Sequence, residues 1–263
     1  MKHLTTSDFW DRGYARAANV APLDLADYRR YGERRLVEVL EELELDGKRV
    51  LEVGAGNSAV LTLLARRHAG RARFAGLDYA PAGCRLLEER ARNEGVEVAV
   101  YQHDLFNPGP ELRNAFDVVF SLGVVEHFTD LAAALAAKRA LTAPGGRVFT
   151  LIPNMRGILG ALTRRYNREI YERHVPHDMA SLLRGHAEAG LKVERAYHLC
   201  SNNFGVLSIC FQGPKARGFG TYKWLSRLTK AVWYTESRVG ELPAHPLVSP
   251  YLVVVSTTAT DAR

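Results

Sequence analysis

Short β-rich apolar runs and longer amphipathic stretches alternate through the first 154 residues, and this alternation restricts the possible folds more than any other feature of the chain. "DGKRVLEV", "RARFAGLD", "VEVAVYQHD", "AFDVVFSLG" and "RVFTLIPN" are bounded by turn residues and predict five strands. Helices are predicted over roughly Glu33 to Leu45 and over Ser58 to His68, where Asn57 or Ser58 is placed to cap. Two more are expected in "APAGCRLLEERARNEG", opening near Pro81, and in "DLAAALAAKRALTAPGG", stopped by Pro144 and its glycines. Strands alternating with helices imply an α/β fold with a largely parallel sheet and helices on both faces. Ligands of such sheets bind beyond the carboxyl ends of the strands.

Past residue 153 the pattern changes. Residues 154–180 read as irregular to helical and basic, "HDMASLLRGHAEAGL" as a helix, "KVERAYHLC" as a sixth strand and "PYLVVVSTT" as the last. The insert at 201–246 is rich in aromatics, and within it Trp224, Leu225, Leu228 and Val232 share one helical face. With 263 residues, 47% of them hydrophobic, one large core is affordable. A single domain over 1–263 is expected: an N-terminal helical lid (1–45), a ligand-binding core (46–153) and inserts at 154–180 and 201–246 on the acceptor side.

Cys84, Cys200 and Cys210 form no C-x-x-C pair, which argues against a disulfide framework or a cysteine zinc site and favours a cytoplasmic setting. No apolar run approaches the ~18 residues of a membrane span, so neither a membrane nor a leader is expected. The net charge of +6 leans towards anionic partners, but the basic residues are scattered except over 156–173, where a solvated helix face accounts for them.

"LEVGAGNSAVL" joins the first strand to a helix through two glycines. "GAGNSA" satisfies the dinucleotide pattern G-x-G-x-x-G/A, and Asp78 follows at the spacing of a ribose-binding acid. The turn serves a pyrophosphate or a carboxylate equally well. Glu52 distinguishes them: an acid immediately before the glycines opposes a pyrophosphate but suits an α-amino group and a cationic ligand. Asp104 in "HDLF" adds a second acid at the ligand end, and "FDVVFSLGVVEHF" runs a fourth strand into a loop carrying Glu126 and His127.

Taken in order, "LEVGAGN", "GLDYA", "HDLF", "FDVVFSLGVVEHF" and "APGGRVFTLIPN" resemble the class I S-adenosylmethionine-dependent methyltransferases, over about the first 60% of the chain. The resemblance implies a doubly wound, mostly parallel Rossmann-like sheet with an antiparallel last strand and helical inserts. S-adenosylmethionine would be the cofactor and S-adenosylhomocysteine the product. Gly54 and Gly56 would accommodate the methionine part with Glu52 and Asn57 nearby, and Asp78 would hold both ribose hydroxyls. Tyr79 would lie against the adenine, Asp104 and Leu105 at its edge, and Ser121 and Leu122 on the floor near the sulfonium. Ser58 stands where many members have a third glycine. Trp10, Tyr14 and Tyr28 precede the core where relatives fold a helix over the cofactor; cation–π attraction or plain packing explains each ring.

His127 occupies the place where this family often has a general base, although a pocket-shaping role or a bond to a backbone carbonyl explains it too. Glu126 is expected to orient His127, hold an amine or cap the next helix. The pair also resembles the metal-binding E-x-x-E-H stretch of ubiquinone-biosynthesis O-methyltransferases and small-RNA 2′-O-methyltransferases, with Gly123 in place of the first glutamate. His174 and His177 would have to complete such a site. Surface or capping roles are the expected ones for them, so no metal is expected. Asn154, Tyr166, Tyr171 and His174 are candidates for the acceptor pocket. The expected activity is methylation of a small molecule, foremost at a hydroxyl of a secondary metabolite, quinone or sugar. N- or C-methylation, RNA methylation, a non-catalytic cofactor-binding role and a dehydrogenase stay open. No nucleic-acid partner is expected, and the oligomeric state is open.

Overall fold

The computed structural model describes residues 3–16, 22–211 and 213–260; positions 1, 2 and 17–21 of the expected lid, position 212 of the second insert and 261–263 lie outside them. In chain order the elements are α1 (Ser7–Arg16), α2 (Tyr31–Glu41), β1 (Arg49–Val53), α3 (Ala59–Arg67), β2 (Arg73–Asp78), α4 (Pro81–Glu94), β3 (Val98–Gln102) and β4 (Phe116–Leu122). Then follow α5 (Leu131–Leu141), β5 (Thr142–Pro153), α6 (Ile158–Tyr166), α7 (Arg168–Glu172), α8 (Met179–Glu188), β6 (Lys192–Leu199), α9 (Phe219–Val239) and β7 (Tyr251–Thr257). The strands form one sheet in the order β3-β2-β1-β4-β5-β7-β6. Neighbours from β3 to β5 pair in parallel, and β7 runs antiparallel between β5 and β6. The doubly wound, mostly parallel sheet with its antiparallel last strand is thus present.

Alternate strand residues feed two cores. Val50, Phe74, Phe120 and Phe149 join one cluster with Leu61 and Leu64 of α3, while Leu51, Val53, Val119 and Val148 join the other with Leu131 and Leu135 of α5. Each strand therefore lies between two apolar layers, as a parallel sheet requires. The chain leaves β1 towards β2 and β3 on one side and returns to β4 on the other. Such a reversal opens a crevice beyond the carboxyl ends of β1 and β4.

Ser58 caps α3, its hydroxyl accepting from Leu61 N at 3.1 Å. The first long helix is Tyr31–Glu41, ending before Leu45. α9 turns differently from its apolar periodicity: Thr229, Trp233 and Glu236 are buried, whereas Trp224 and Leu228 are 62% and 42% exposed. Its inner neighbours offer polar partners: Thr229 Oγ1 accepts from Phe204 N at 3.0 Å, and Trp233 Nε1 donates to Asn202 O at 3.1 Å. Among the described residues no helix is long and apolar enough to cross a membrane.

Lys138 of α5 is wholly buried under the sheet. Its ammonium donates to Ser121 Oγ, Phe149 O and Thr150 Oγ1 at 2.8, 2.9 and 2.9 Å. Burial pulls its pKa down, and the carboxylate of Glu126 opposes that pull. Lys138→Ala would leave these acceptors without their donor beside a new cavity. It is expected to cost about 3 kcal/mol or more, read by urea denaturation; a loss under about 1 kcal/mol would show that the hub is not structural.

Candidate active site

The crevice begins at the β1 turn. Glu52, 3% exposed, has no partner for Oε2, and burial pushes its pKa up to about 8 against the Ser58 hydroxyl. An unpartnered buried carboxyl of this kind fits an ammonium group. Gly54 has φ 71°, and a Cβ there would lie 2.5 Å from Val124 Cγ2, so this backbone takes only glycine. At the end of β2, Asp78 Oδ2 accepts from Gly56 N at 2.8 Å and from the Tyr14 hydroxyl at 3.5 Å, while Oδ1 accepts from Ala80 N at 2.8 Å. The backbone bonds lock the carboxylate in place, and Tyr14 covers its open side. Burial raises the pKa of Tyr14 first, with Asp78 adding to it.

Two small spaces extend from this turn. One, of about 140 Å³, is lined by Thr5, Trp10, Tyr14, Gly54, Asp78, Tyr79, Leu122 and His127 among others; the next, about 40 Å³, reaches Asp104 and Leu105. Gly54, Asp78 and Tyr79 border both, which places the two spaces side by side from Gly54 to Asp104 along the strand ends, with the buried Glu52 two residues before Gly54. These residues suit the amino acid, ribose and base of an adenosyl amino acid in that order. With α1 in this position the space is smaller than the ~300 Å³ at which small-molecule clefts begin. α1 is held by the bond of Leu4 N to His127 O (2.9 Å) and by Tyr14 on Asp78, and it must move outward for such a ligand to enter.

A larger cavity, about 680 Å³, lies on the other side of Leu122 and His127. It is walled by Leu36, Leu151, Tyr251 and residues of the second insert, including Val206, Tyr222, Thr229 and Trp233, with Arg29, Arg30 and Lys230 also on its lining. Trp10, Leu122, Gly123 and His127 border both this cavity and the inner space, so they form the partition between the two.

Glu126 and His127 sit on a single 3-10 turn, Val125–His127, after β4, and both are buried. One carboxylate oxygen of Glu126 and one ring nitrogen each of His127 and His174 lie within 4.8 Å of one another. The backbone brings His174 there: Val175 N donates to Glu126 O at 2.7 Å, and the two imidazole centroids are 4.6 Å apart. Each ring has its Nδ1 against a carbonyl, Arg173 O at 2.6 Å for His127 and Ile170 O at 2.7 Å for His174. A carbonyl only accepts, so both Nδ1 atoms carry the proton and both Nε2 atoms keep a lone pair. Burial, and then His174, pushes the His127 pKa down to about 4, while burial pushes Glu126 up to about 8. Glu126 Oε2 has no partner. Two neutral imidazoles held through Nδ1 and an unpartnered carboxylate make a donor set that fits a divalent cation. Gly123, where the E-x-x-E-H stretch has its first glutamate, has φ 72° and takes glycine by conformation.

Several expected site residues turn elsewhere. Ser121 holds Lys138 beneath the sheet, while its neighbour Leu122 faces the partition, because adjacent strand residues point to opposite faces. Asn57 accepts from Arg90 Nε at 3.0 Å. Asn154 pins the loop before β7, donating to Pro246 O and Ser249 O at 2.6 and 3.0 Å, and does not line the 680 Å³ cavity. Tyr166 packs on Phe211 in a small separate cluster, and Tyr171 borders a different hollow beside Met155 and Arg164. Tyr28 packs edge-on against Tyr234 and lines neither of the two small spaces. His177 stays 3.5 Å from Ser181 Oγ, outside the Glu126 cluster. Of the first insert only His174 reaches the large cavity. Sequence reasoning missed Lys138, Arg29, Arg30 and Lys230; a lysine inside the apolar run "LAAALAAKRAL" was the one available signal.

A family model described as a methyltransferase domain matches residues 50–146. The ubiquinone biosynthesis O-methyltransferase of Pseudomonas aeruginosa is 30% identical over 171 residues, which is 62% of this chain and 72% of that protein. Its namesake in Aeromonas salmonicida is 32% identical over 105 residues, 40% of this chain and 43% of that one. The chain thus spans less than half the length of some of the curated relatives it matches. Among solved structures, the 4+2 cyclase SpnF superposes with a TM-score of 0.67 at 16% identity, over 98% of this chain and 97% of that one. A SAM-dependent methyltransferase from Aquifex aeolicus gives 0.60 at 12% identity, over 95% and 98%. At such identities these two establish a shared fold.

Proposed function

Since this chain belongs to the class I S-adenosylmethionine-dependent methyltransferases, we propose that it methylates a hydroxyl group of a small acceptor held in the 680 Å³ cavity. The observation that carries this reading is the shared partition: Trp10, Leu122, Gly123 and His127 are the boundary between the small space at the β1 and β2 ends and a larger, partly apolar one. S-adenosylmethionine supplies an electrophilic methyl group, and Glu52, Gly54, Asp78, Tyr79, Asp104 and Leu105 would hold it. Methyl transfer neutralises a cation, so the protein's share is alignment and exclusion of water, to which α1 and the Trp10 ring contribute. An acceptor hydroxyl must also lose its proton, and the Nε2 lone pair of His127 is the group at the partition able to take it. The names of the curated relatives support a quinone-type phenol as the acceptor class.

A second reading concerns how the hydroxyl is activated. Glu126, His127 and His174 would hold a divalent cation, which supplies Lewis-acid stabilisation of an alkoxide or phenolate. The two readings differ in His174, which only the cation needs.

Calorimetric titration with S-adenosylmethionine, S-adenosylhomocysteine and NAD tests the first reading, with micromolar binding of the adenosyl amino acids alone as the expected result. Binding of NAD alone would overturn it. The same titration with magnesium or manganese, before and after His174→Ala, tests the second: the cation's heat should vanish in the variant.

A further inference from the structure

We infer that the outward face of α9 docks this protein on the surface of an anionic membrane. α9 is 21 residues long, and its inner side is occupied, since Thr229, Trp233 and Glu236 are buried and Tyr222 and Ser226 line the large cavity. The outer side carries two parallel stripes. Trp224, Leu228, Ala231, Thr235 and Val239 follow one another at i, i+4, i+7, i+11 and i+15, with Trp224, Leu228 and Val239 62%, 42% and 73% exposed. Lys223, Arg227 and Arg238 run beside them, all exposed, in line with Lys230 at the rim of the large cavity and Tyr234 against Tyr28. Glu236 is the helix's one acid, and it is buried. A solvated helix face does not align tryptophan, leucine and valine outward. Exposed Trp224, Leu228 and Val239 flanked by Lys223, Arg227 and Arg238 match a helix lying in a headgroup layer, with the apolar side chains among the acyl chains and the basic ones at the phosphates.

Charge decides between this partner and another copy of the chain. A two-fold interface through this face would set one basic stripe against its equivalent, which is repulsive. Nucleic acid would satisfy the basic row but leave Leu228 and Val239 without a partner. The docking is independent of which acceptor the cavity takes.

Flotation with vesicles tests it. The protein should float with phosphatidylcholine–phosphatidylglycerol vesicles and not with phosphatidylcholine alone, and added salt should weaken binding. Two double variants, Trp224→Ser with Leu228→Ser and Lys223→Glu with Arg227→Glu, should each lower the partition coefficient about tenfold or more. Because these side chains are exposed, melting temperatures should stay unchanged. Lys48→Glu with Arg73→Glu makes the same charge change at exposed positions at the amino ends of the strands and should leave binding within about twofold. Absence of flotation, equal flotation with neutral vesicles, or an equal loss in the Lys48 and Arg73 variant overturns the proposal. So does a dimer in sedimentation equilibrium that the Trp224 and Leu228 variant dissolves.

Discussion

Alanine in place of His127 is expected to lower methyl-transfer turnover by about a hundredfold or more, with S-adenosylmethionine affinity held within about twofold. The cofactor side should be spared because His127 stands at the boundary with the larger cavity, whereas the acids of the inner spaces are Asp78 and Asp104. On the acceptor side the loss is large, since Arg173 O fixes the tautomer that leaves Nε2 as a lone pair and holds the ring through Nδ1, with the Trp10 ring edge-on at 5.4 Å between centroids. Steady-state kinetics on an identified phenolic acceptor checks this. A loss below tenfold would remove His127 from the chemistry. His174→Ala then separates the two roles of the cluster: a small effect favours proton removal by His127 alone, and an effect as large as that of His127→Ala, reproduced by EDTA, favours the cation.

The second large effect is expected at Asp78. Each charge-assisted hydrogen bond to a ligand contributes about 1.5–3 kcal/mol, so if Asp78 holds two ribose hydroxyls as proposed, losing its carboxylate should weaken S-adenosylmethionine binding about a hundredfold or more. The same change leaves Gly56 N and Ala80 N, bonded to it at 2.8 Å each, without acceptors, and folding stability should fall by about 1–3 kcal/mol. Calorimetry and thermal unfolding of Asp78→Ala measure the two separately. Affinity within tenfold of the original in a folded variant would mean that the ribose is held elsewhere.

Much of this site was legible before any coordinates. Glycines and acids at the ends of predicted strands put Glu52, Gly54, Asp78 and Asp104 at one edge of the sheet, because strand ends on a parallel sheet share one edge whatever the rest of the chain does. Ser121 and Asn154 show where such reasoning stops. Both stand at or near strand ends, yet one is claimed by a buried lysine and the other by two backbone carbonyls of a loop about 90 residues away. A polar side chain turns to the partner that satisfies it, and that partner was remote in sequence.

The residues by themselves determined the α/β alternation, the five parallel strands and the glycine turn after the first of them. These rest on periodicity, turn residues and caps, which act over a few neighbouring positions. Only the tertiary structure decided that His174 meets Glu126 and His127, that Tyr166 and Tyr171 leave the site, and that α9 buries Trp233 while exposing Trp224. Each depends on which surfaces the folded sheet makes available, and burial rewards the face that finds a partner, polar or apolar, rather than the most apolar face.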